Sequence, residues 1–313
     1  MTKPVSGKGL LSLCFTGLLG LGACGPAPEG AAEPEGAVEQ VEQGINGYYG
    51  SFDANFPSDL LWRNQASGAN TVWLMNGPTQ TGTSALAGLS PSYTIQATAD
   101  FNPASQLDLV IHGINPGTEH VLFLSGFAIS GSNPLAARAS PDWYFAASGD
   151  FNSDGRSDLV LHNRVTGQWQ YRYMSGAAVI SVSPIFTRPL PWYIVGAADF
   201  DMDGRTDLLW RNRTTGQNEI WRMSNTVQIG LIGMPTLSLS FYVGATADYT
   251  LDRNPDIVWH NPSTGQVMLW RLTAGVYGAS QTIGVTASGC PVWFSQATTP
   301  PAAAGCDYLV GPR

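Results

Sequence analysis

Five acidic loops are the part of this sequence with chemistry in it. In "DFNSDGRSD", Asp150, Asn152, Asp154 and Asp158 take positions 1, 3, 5 and 9, and the carbonyl of Arg156 is available at position 7. "DFDMDGRTD" repeats the pattern with Asp199, Asp201, Asp203, the Arg205 carbonyl and Asp207. Oxygens at odd positions around a Gly that takes a sharp bend, Gly155 or Gly204, are what a six- or seven-coordinate Ca²⁺ requires. The loops are not EF-hands, because Leu161 and Trp210 stand where that motif places a bidentate Glu. The rival reading is a pair of Asp-Gly hairpin turns. Crowded carboxylates with no counter-ion would repel one another, however, which favours the metal.

The other three copies are degenerate. Asp248, Thr250, Asp252, Asn254 and Asp256 keep the oxygens but put Arg253 at the Gly position. Ser51, Asp53, Asn55 and Asp59 lose a carboxylate. Asp100, Asn102 and Asp108 have Ala104 at position 5, so that copy is expected to hold no ion. After Gly44, only Glu119, Asp142 and Glu219 among the acidic residues lie away from these repeated phrases.

The phrases recur every 49 or 50 residues, starting at Ser51, Asp100, Asp150, Asp199 and Asp248. Each is followed by a Gly turn (Gly68, Gly117, Gly167, Gly216, Gly265) and a second apolar run, and most are preceded by aromatic pairs such as Trp143-Tyr144, Trp192-Tyr193 and Phe241-Tyr242. A decayed sixth copy shows as Trp293-Phe294 and Asp307-Tyr308-Leu309-Val310. Short runs rich in aromatic and β-branched residues, cut by Gly, Asn, Asp and Pro, predict strands. Repeats of this length predict an all-β propeller of four-stranded blades, five clear repeats plus a partial sixth, rather than a solenoid with shorter coils. Whether five or six blades close the ring is left open by the sequence.

"DFNSDGRSDLVLHN" resembles the FG-GAP or VCBS-type repeat of bacterial surface proteins, propeller lectins and the propeller of integrin α-subunits. The likeness runs from Ser51 to about Val310. It implies that the aromatic-led strand is the innermost of each blade and that the acidic loops share one rim.

The chain has 313 residues, of which 12% are charged, and a formal charge of −8. That balance argues against a nucleic-acid groove, which wants clustered cations. Lys3 and Lys8 precede an apolar run, Gly9 to Leu21, too short to span a bilayer as a mature helix. Leu21-Gly22-Ala23-Cys24 resembles a bacterial lipobox. The expected organisation is a lipoprotein signal over 1–23, an acidic Pro-rich tether over 24–44 and the propeller over 45–313, with Cys24 lipidated and the protein exported and membrane-anchored. Cys290 and Cys306 are then expected to form a disulfide, worth about 3 kcal/mol and fastening the last strands.

No Gly-x-Ser-x-Gly, His-Glu-x-x-His or Ser-x-x-Lys motif occurs, so a non-enzyme is expected. His112, His162 and His260 share one repeat column with Arg63 and Arg211, which points to hydrogen bonding between blades rather than a unique catalytic base. His120 stands alone and reads as a surface residue. Trp62, Trp73, Trp210, Trp221, Trp259 and Trp270 could stack sugars, but recurring Trp more simply fills an inter-blade core. Asn64, Asn163, Asn212 and Asn261 read as turn residues. The expectation is a calcium-stabilised binding, adhesion or scaffolding module with a protein partner on its rim. A lectin is the alternative, and a propeller hydrolase or lyase is the more distant one.

Overall fold

The structure is a computed structural model that describes residues 51–53, 58–102, 106–113 and 118–286 and the backbone of 307–310. Cys24, Cys290 and Cys306, the tether, and Trp293-Phe294 lie outside the described residues. Every regular element described is a strand, and the strands form five antiparallel sheets. The first blade takes β1 (Leu60–Asn64), β2 (Asn70–Asn76) and β3 (Thr79–Leu86). The second is β4 (Tyr93–Ala99), β5 (Asp108–Gly113), β6 (Glu119–Ser125) and β7 (Ala128–Pro134). The third is β8 (Trp143–Gly149), β9 (Asp158–Asn163), β10 (Gln168–Ser175) and β11 (Ala178–Val182), with a two-residue β12 (Phe186–Thr187) also pairing with β10. The fourth is β13 (Trp192–Ala198), β14 (Asp207–Asn212), β15 (Asn218–Ser224) and β16 (Val227–Met234). The fifth is β17 (Tyr242–Ala247), β18 (Asp256–Asn261), β19 (Gln266–Thr273) and β20 (Val276–Val285).

The copy at the C-terminal end is no sixth blade. Its strand, β21 (Asp307–Val310), pairs antiparallel with β1, setting Leu61 opposite Val310 and Arg63 opposite Tyr308. The ring therefore has five blades, and the first is assembled from both ends of the repeat array. A sheet built from two distant segments closes the ring and removes the unpaired edge that β1 would otherwise present.

The strands β4, β8, β13, β17 and β21 touch one another in succession, and β21 also touches β4. These are the inner strands, and four of them begin on a Trp or Tyr: Tyr93, Trp143, Trp192 and Tyr242. Ser148 Oγ donates to the Thr98 carbonyl and Thr246 Oγ1 to that of Ala197, each at 2.9 Å, stitching neighbouring inner strands. In β4, β8, β13 and β17 the register slips at the same place, after Ile95, Phe145, Ile194 and Val243. A bulge of this kind sharpens the local twist, which inner strands need to fan around an axis.

The core is five clusters, each between two blades. One joins Leu61 and Val72 of the first blade to Ile95 and Leu109 of the second. The last joins Val258 and Leu269 of the fifth to Leu60, Trp62 and Met75 of the first, so burial also runs full circle. Second strands are buried on both faces, which is why β9 and β14 read as near-continuous apolar runs. Fourth strands alternate or lie open to solvent.

Candidate functional site

In the second to fifth blades the acidic loop joins the inner strand to the second strand, and in the third, fourth and fifth its backbone is set by its own first carboxylate. In the third loop Asp150 Oδ1 accepts from Asp154 N and Oδ2 from Gly155 N. Asp199 does the same for Asp203 N and Gly204 N. Asp248 accepts from Thr250 N, Leu251 N and Asp252 N at Oδ1 and from Arg253 N at Oδ2. All three loops carry left-handed residues at positions 4 and 6: Ser153 and Gly155, Met202 and Gly204, Leu251 and Arg253. The fifth loop thus has the same turn without its glycine, holding Arg253 at φ 69°. A left-handed residue with a Cβ costs about 1–2 kcal/mol, offset in part by glycine's greater unfolded freedom. Arg253→Gly is therefore expected to stabilise the fold by about 0.5–1 kcal/mol, read as a raised midpoint in urea. A lowered midpoint would show that the Arg253 side chain matters more than its backbone.

The ninth-position carboxylates do a different job. Asp59, Asp108, Asp158, Asp207 and Asp256 are 0–2% exposed. Each accepts one N–H from its own loop at Oδ2 (Phe52, Phe101, Phe151, Phe200, Tyr249) and one from the third strand at Oδ1 (Met75, Leu124, Met174, Met223, Leu272), all at 2.8–3.2 Å. Each thereby pins loop, second strand and third strand together. Burial outweighs these bonds and pushes the carboxyls up, to about 6 in Asp59 and Asp108 and about 7 in Asp158, Asp207 and Asp256.

Among the described residues, one group of carboxylates is drawn together tightly enough for a cation. Ligand oxygens of Asp199, Asp201 and Asp207 all lie within 4.8 Å of one another. Asp201 Oδ1 is buried and accepts no hydrogen bond, an orphan that a cation would satisfy. Asp199 and Asp207 keep spare lone pairs on oxygens already holding one N–H each. The donor set is all oxygen and mostly charged, as a hard cation demands. Asp201 Oδ2 is meanwhile bonded to Arg222 Nε. Asp203 is not in the cluster: its Oδ1 accepts from Arg205 N and its Oδ2 lies 3.4 Å from the Arg205 guanidinium. In the third loop Asn152 replaces the second carboxylate, and Asp154 faces Arg156 at 3.8 Å and Asn152 Nδ2 at 3.1 Å. In the fifth, Asp252 Oδ1 accepts from Asn254 N while Asn254 Oδ1 accepts from Ala274 N.

The Arg and His column is structural. Arg63 is fully buried, and its guanidinium donates to the carbonyls of Gly68, Leu89, Ser90 and Tyr93 and to Asn70 Oδ1. Arg211 repeats this with Gly216, Leu237, Ser238 and Asn218 Oδ1. His162 Nδ1 accepts from Ile194 N of the next blade, His260 meets Thr286 Oγ1, and His112 meets Arg138. Each member ties its blade to the segment leading into the next. His120 is half-buried on β6. Trp62, Trp210, Trp259 and Trp270 are core, at most 3% exposed, and cannot stack a sugar. Trp73 and Trp221 are half-buried. Asn163, Asn212 and Asn261 cap the following turn, each Oδ1 accepting two backbone N–H groups.

Two clusters were not anticipated from the sequence. Arg188 lies 3.9–4.7 Å from the ring centres of Trp192, Trp210 and Trp221 and pairs with Glu219, which also accepts from Trp221 Nε1. Arg213 lies 4.3 Å over the Tyr193 ring, with Tyr144 and Tyr242 within electrostatic reach. The residues come from separate repeats, so no single motif contains either cluster.

Comparison with protein families matches residues 150–210 to the FG-GAP-like repeat. That stretch takes in β9 to β13, most of β14 and both Asp-Gly loops. No curated protein sequence matches the chain. Among solved structures, a Bacteroides caccae protein of unknown function shares 12% identity at a TM-score of 0.38, covering 72% of this chain and 73% of its own. The Dos1 propeller shares 11% at 0.33, covering 74% and 59%. The Photorhabdus luminescens Tc holotoxin pore shares 13% at 0.32, covering 71% and 15%. With a ring of five antiparallel blades and a matched segment that begins on Asp150 and ends on Trp210, the chain is a five-bladed β-propeller carrying FG-GAP-like repeat sequence.

Proposed function

We propose that this propeller is a calcium-stabilised binding module for a protein partner, displayed by an exported lipoprotein anchored through Cys24. The observation that carries the reading is the fate of the repeated polar columns. The ninth-position Asp is consumed in backbone hydrogen bonds and the Arg or His near the end of the second strand in bonds to the backbone or side chains of the junction with the next blade, so the recurring polar groups build a rigid scaffold. Residues that differ from blade to blade are then left for recognition on the rims. The FG-GAP-like match over residues 150–210 agrees with that use. Cross-linking in intact envelopes, beside a glycan array, tests the reading. A specific protein adduct supports it; a specific glycan with no protein adduct would transfer the function to a lectin.

Ca²⁺ at Asp199, Asp201 and Asp207 would cancel the repulsion of the fourth loop and tie its ends. A ligand at a hundred times its Kd adds about 2.7 kcal/mol. Chelator is therefore expected to lower Tm by roughly 6 °C or more, with recovery on adding Ca²⁺. Asp201→Asn should abolish that response while Asp154→Asn leaves most of it. A melt indifferent to chelator would remove calcium from the account.

A further inference from the structure

The fifth acidic loop departs from its neighbours at three positions, and together the changes leave two arginines without partners. Position 3 is Thr250 where the fourth loop has Asp201, the acid bonded by Arg222 Nε of β15. Arg271 holds the matching place in β19, one residue before the N–H given to the ninth-position Asp. Position 7 is Asn254 where the third and fourth loops have Arg156 and Arg205, each facing the Asp at position 5. Asn254 takes over that acid, donating its N and Nδ2 hydrogens to Asp252 Oδ1. Position 6 is Arg253 where those loops have glycine. Among the described residues, Arg253 and Arg271 are the two arginines whose guanidinium meets no carboxylate, carbonyl or ring, and both residues are exposed.

The two stand on adjoining backbone. Leu272 N donates to Asp256 Oδ1 at 3.0 Å and Ala274 N to Asn254 Oδ1 at 2.8 Å, which lashes the end of β19 to the loop. Leu251 and Val276, 46% and 60% exposed, add apolar surface to the same corner. The backbone there is strained: Leu251, Arg253 and Ala274 are half of the described non-glycine residues with left-handed φ. Glycine at position 253 would relieve part of that strain, so an arginine kept there points to a use for its side chain. The loop's own acids are already engaged. Asp248 collects four N–H groups, Asp256 two, and Asp252 the donors of Asn254.

We propose that this corner of the fifth blade docks an acidic segment of a protein partner, with Arg253 and Arg271 taking its carboxylates and Leu251 and Val276 an apolar side chain beside them. The inference rests on the protein-binding reading above and supplies the partner's chemistry. A guanidinium fork matches a planar carboxylate, and one with no internal partner breaks no bond of its own on binding. Charge complementarity therefore selects an acidic segment.

The test is fluorescence anisotropy of a labelled, C-terminally amidated decapeptide, rich in Glu and carrying two Leu, with the full chain. The peptide is expected to bind at low salt, to weaken as salt is raised, and to lose binding when its Glu are replaced by Gln. Arg253→Gly should weaken binding at least tenfold while raising the urea midpoint, a pairing that damage to the fold cannot produce. If Arg253→Gly instead melts early, Arg271→Gln, on regular strand backbone, should still weaken binding at least threefold at an unchanged melt. Arg156→Gln, which removes an arginine paired within its own loop, should change binding less than twofold. Absence of binding, indifference to both fifth-blade variants, equal binding of the Gln peptide, or an equal loss in Arg156→Gln would overturn the proposal. So would a phosphoserine version of the peptide binding more than tenfold tighter, which would make the ligand a phosphate group. Envelope cross-links to a protein that form equally in the parent and in Arg253→Gly would sink this site alone, whereas the absence of any protein adduct would sink the protein-binding reading itself.

Discussion

A chain lacking residues 307–313 is expected to lose its cooperative melt. Those residues supply β21, the inner strand of the first blade, paired with Leu61 through Asn64 of β1. Without it, β1 becomes an unpaired edge facing the axis, and β4 and β17 each lose a neighbour. Backbone hydrogen bonds contribute about 0.5–1.5 kcal/mol each, and a buried group left without one costs about 1–3 kcal/mol. Losing a four-residue ladder in the interior thus removes several kcal/mol from a fold whose whole stability is about 5–15 kcal/mol. The expected readout is a broad, early transition by near-ultraviolet circular dichroism, and aggregation through the opened edge. A synthetic peptide of residues 307–313 should restore part of the transition at high concentration, because the gap it fills is preformed. A truncated chain that melts within about 2 °C of the parent would show that β1 closes the ring without its partner.

Repeat period, strand content and blade number up to closure were legible because each repeat is one unit with its own turn signals. Closure was not. The sequence shows Asp307-Tyr308-Leu309-Val310 only as a worn copy of a repeat start, and a worn copy reads equally as a fragmentary blade or as the strand that completes another. Pairing with β1, almost the whole array away, decides between them, and that is a long-range fact. The acidic loops were legible as oxygen-rich turns, yet their division of labour was not. A signal was present: position 9 is Asp in all five copies, whereas position 1 is Ser51 in the first, position 3 varies, and position 5 is Ala104 in the second. A group present even where the metal set is broken must serve something other than the metal. Arg253 shows the converse, a broken motif whose backbone still makes the turn because Asp248 collects four N–H groups around it. The Arg213 and Arg188 clusters were out of reach, since residues 144, 162, 193, 213 and 242 meet only through the ring.

The Arg and His column shows why one repeat position accepts two chemistries. Arg63 and Arg211 each fan out to carbonyls on two segments, whereas His162 bonds a single N–H and packs among Tyr144, Tyr193 and Trp210. Either arrangement fixes the junction between blades. Burial drives the His162 imidazole down to about 3 and the His260 imidazole to about 4, which keeps both neutral and suits a packed junction.

Asp158→Ala and Asp207→Ala are expected to cost about 3 kcal/mol or more each, with or without calcium. The substitution strands two buried N–H groups, Phe151 and Met174 in one case and Phe200 and Met223 in the other. At about 1–3 kcal/mol per orphan, even the low end exceeds what an exposed loop carboxylate such as Asp154 contributes. Asp158→Asn keeps one acceptor but turns an amide N–H₂ toward a donor, so it should recover only part of the loss. The pH dependence gives a second, independent readout. These carboxyls are raised from 3.8 to about 7 by burial, so between those values the folded, calcium-free chain holds more protons than the unfolded one. Stability without calcium should therefore fall as pH rises from about 4 to about 7, and Asp→Ala at either position should flatten that slope. Urea midpoints measured in chelator across this range decide the matter. If Asp158→Ala costs no more than Asp154→Ala, or if the calcium-free chain gains stability as pH rises, the ninth carboxylate is not the pin of its blade.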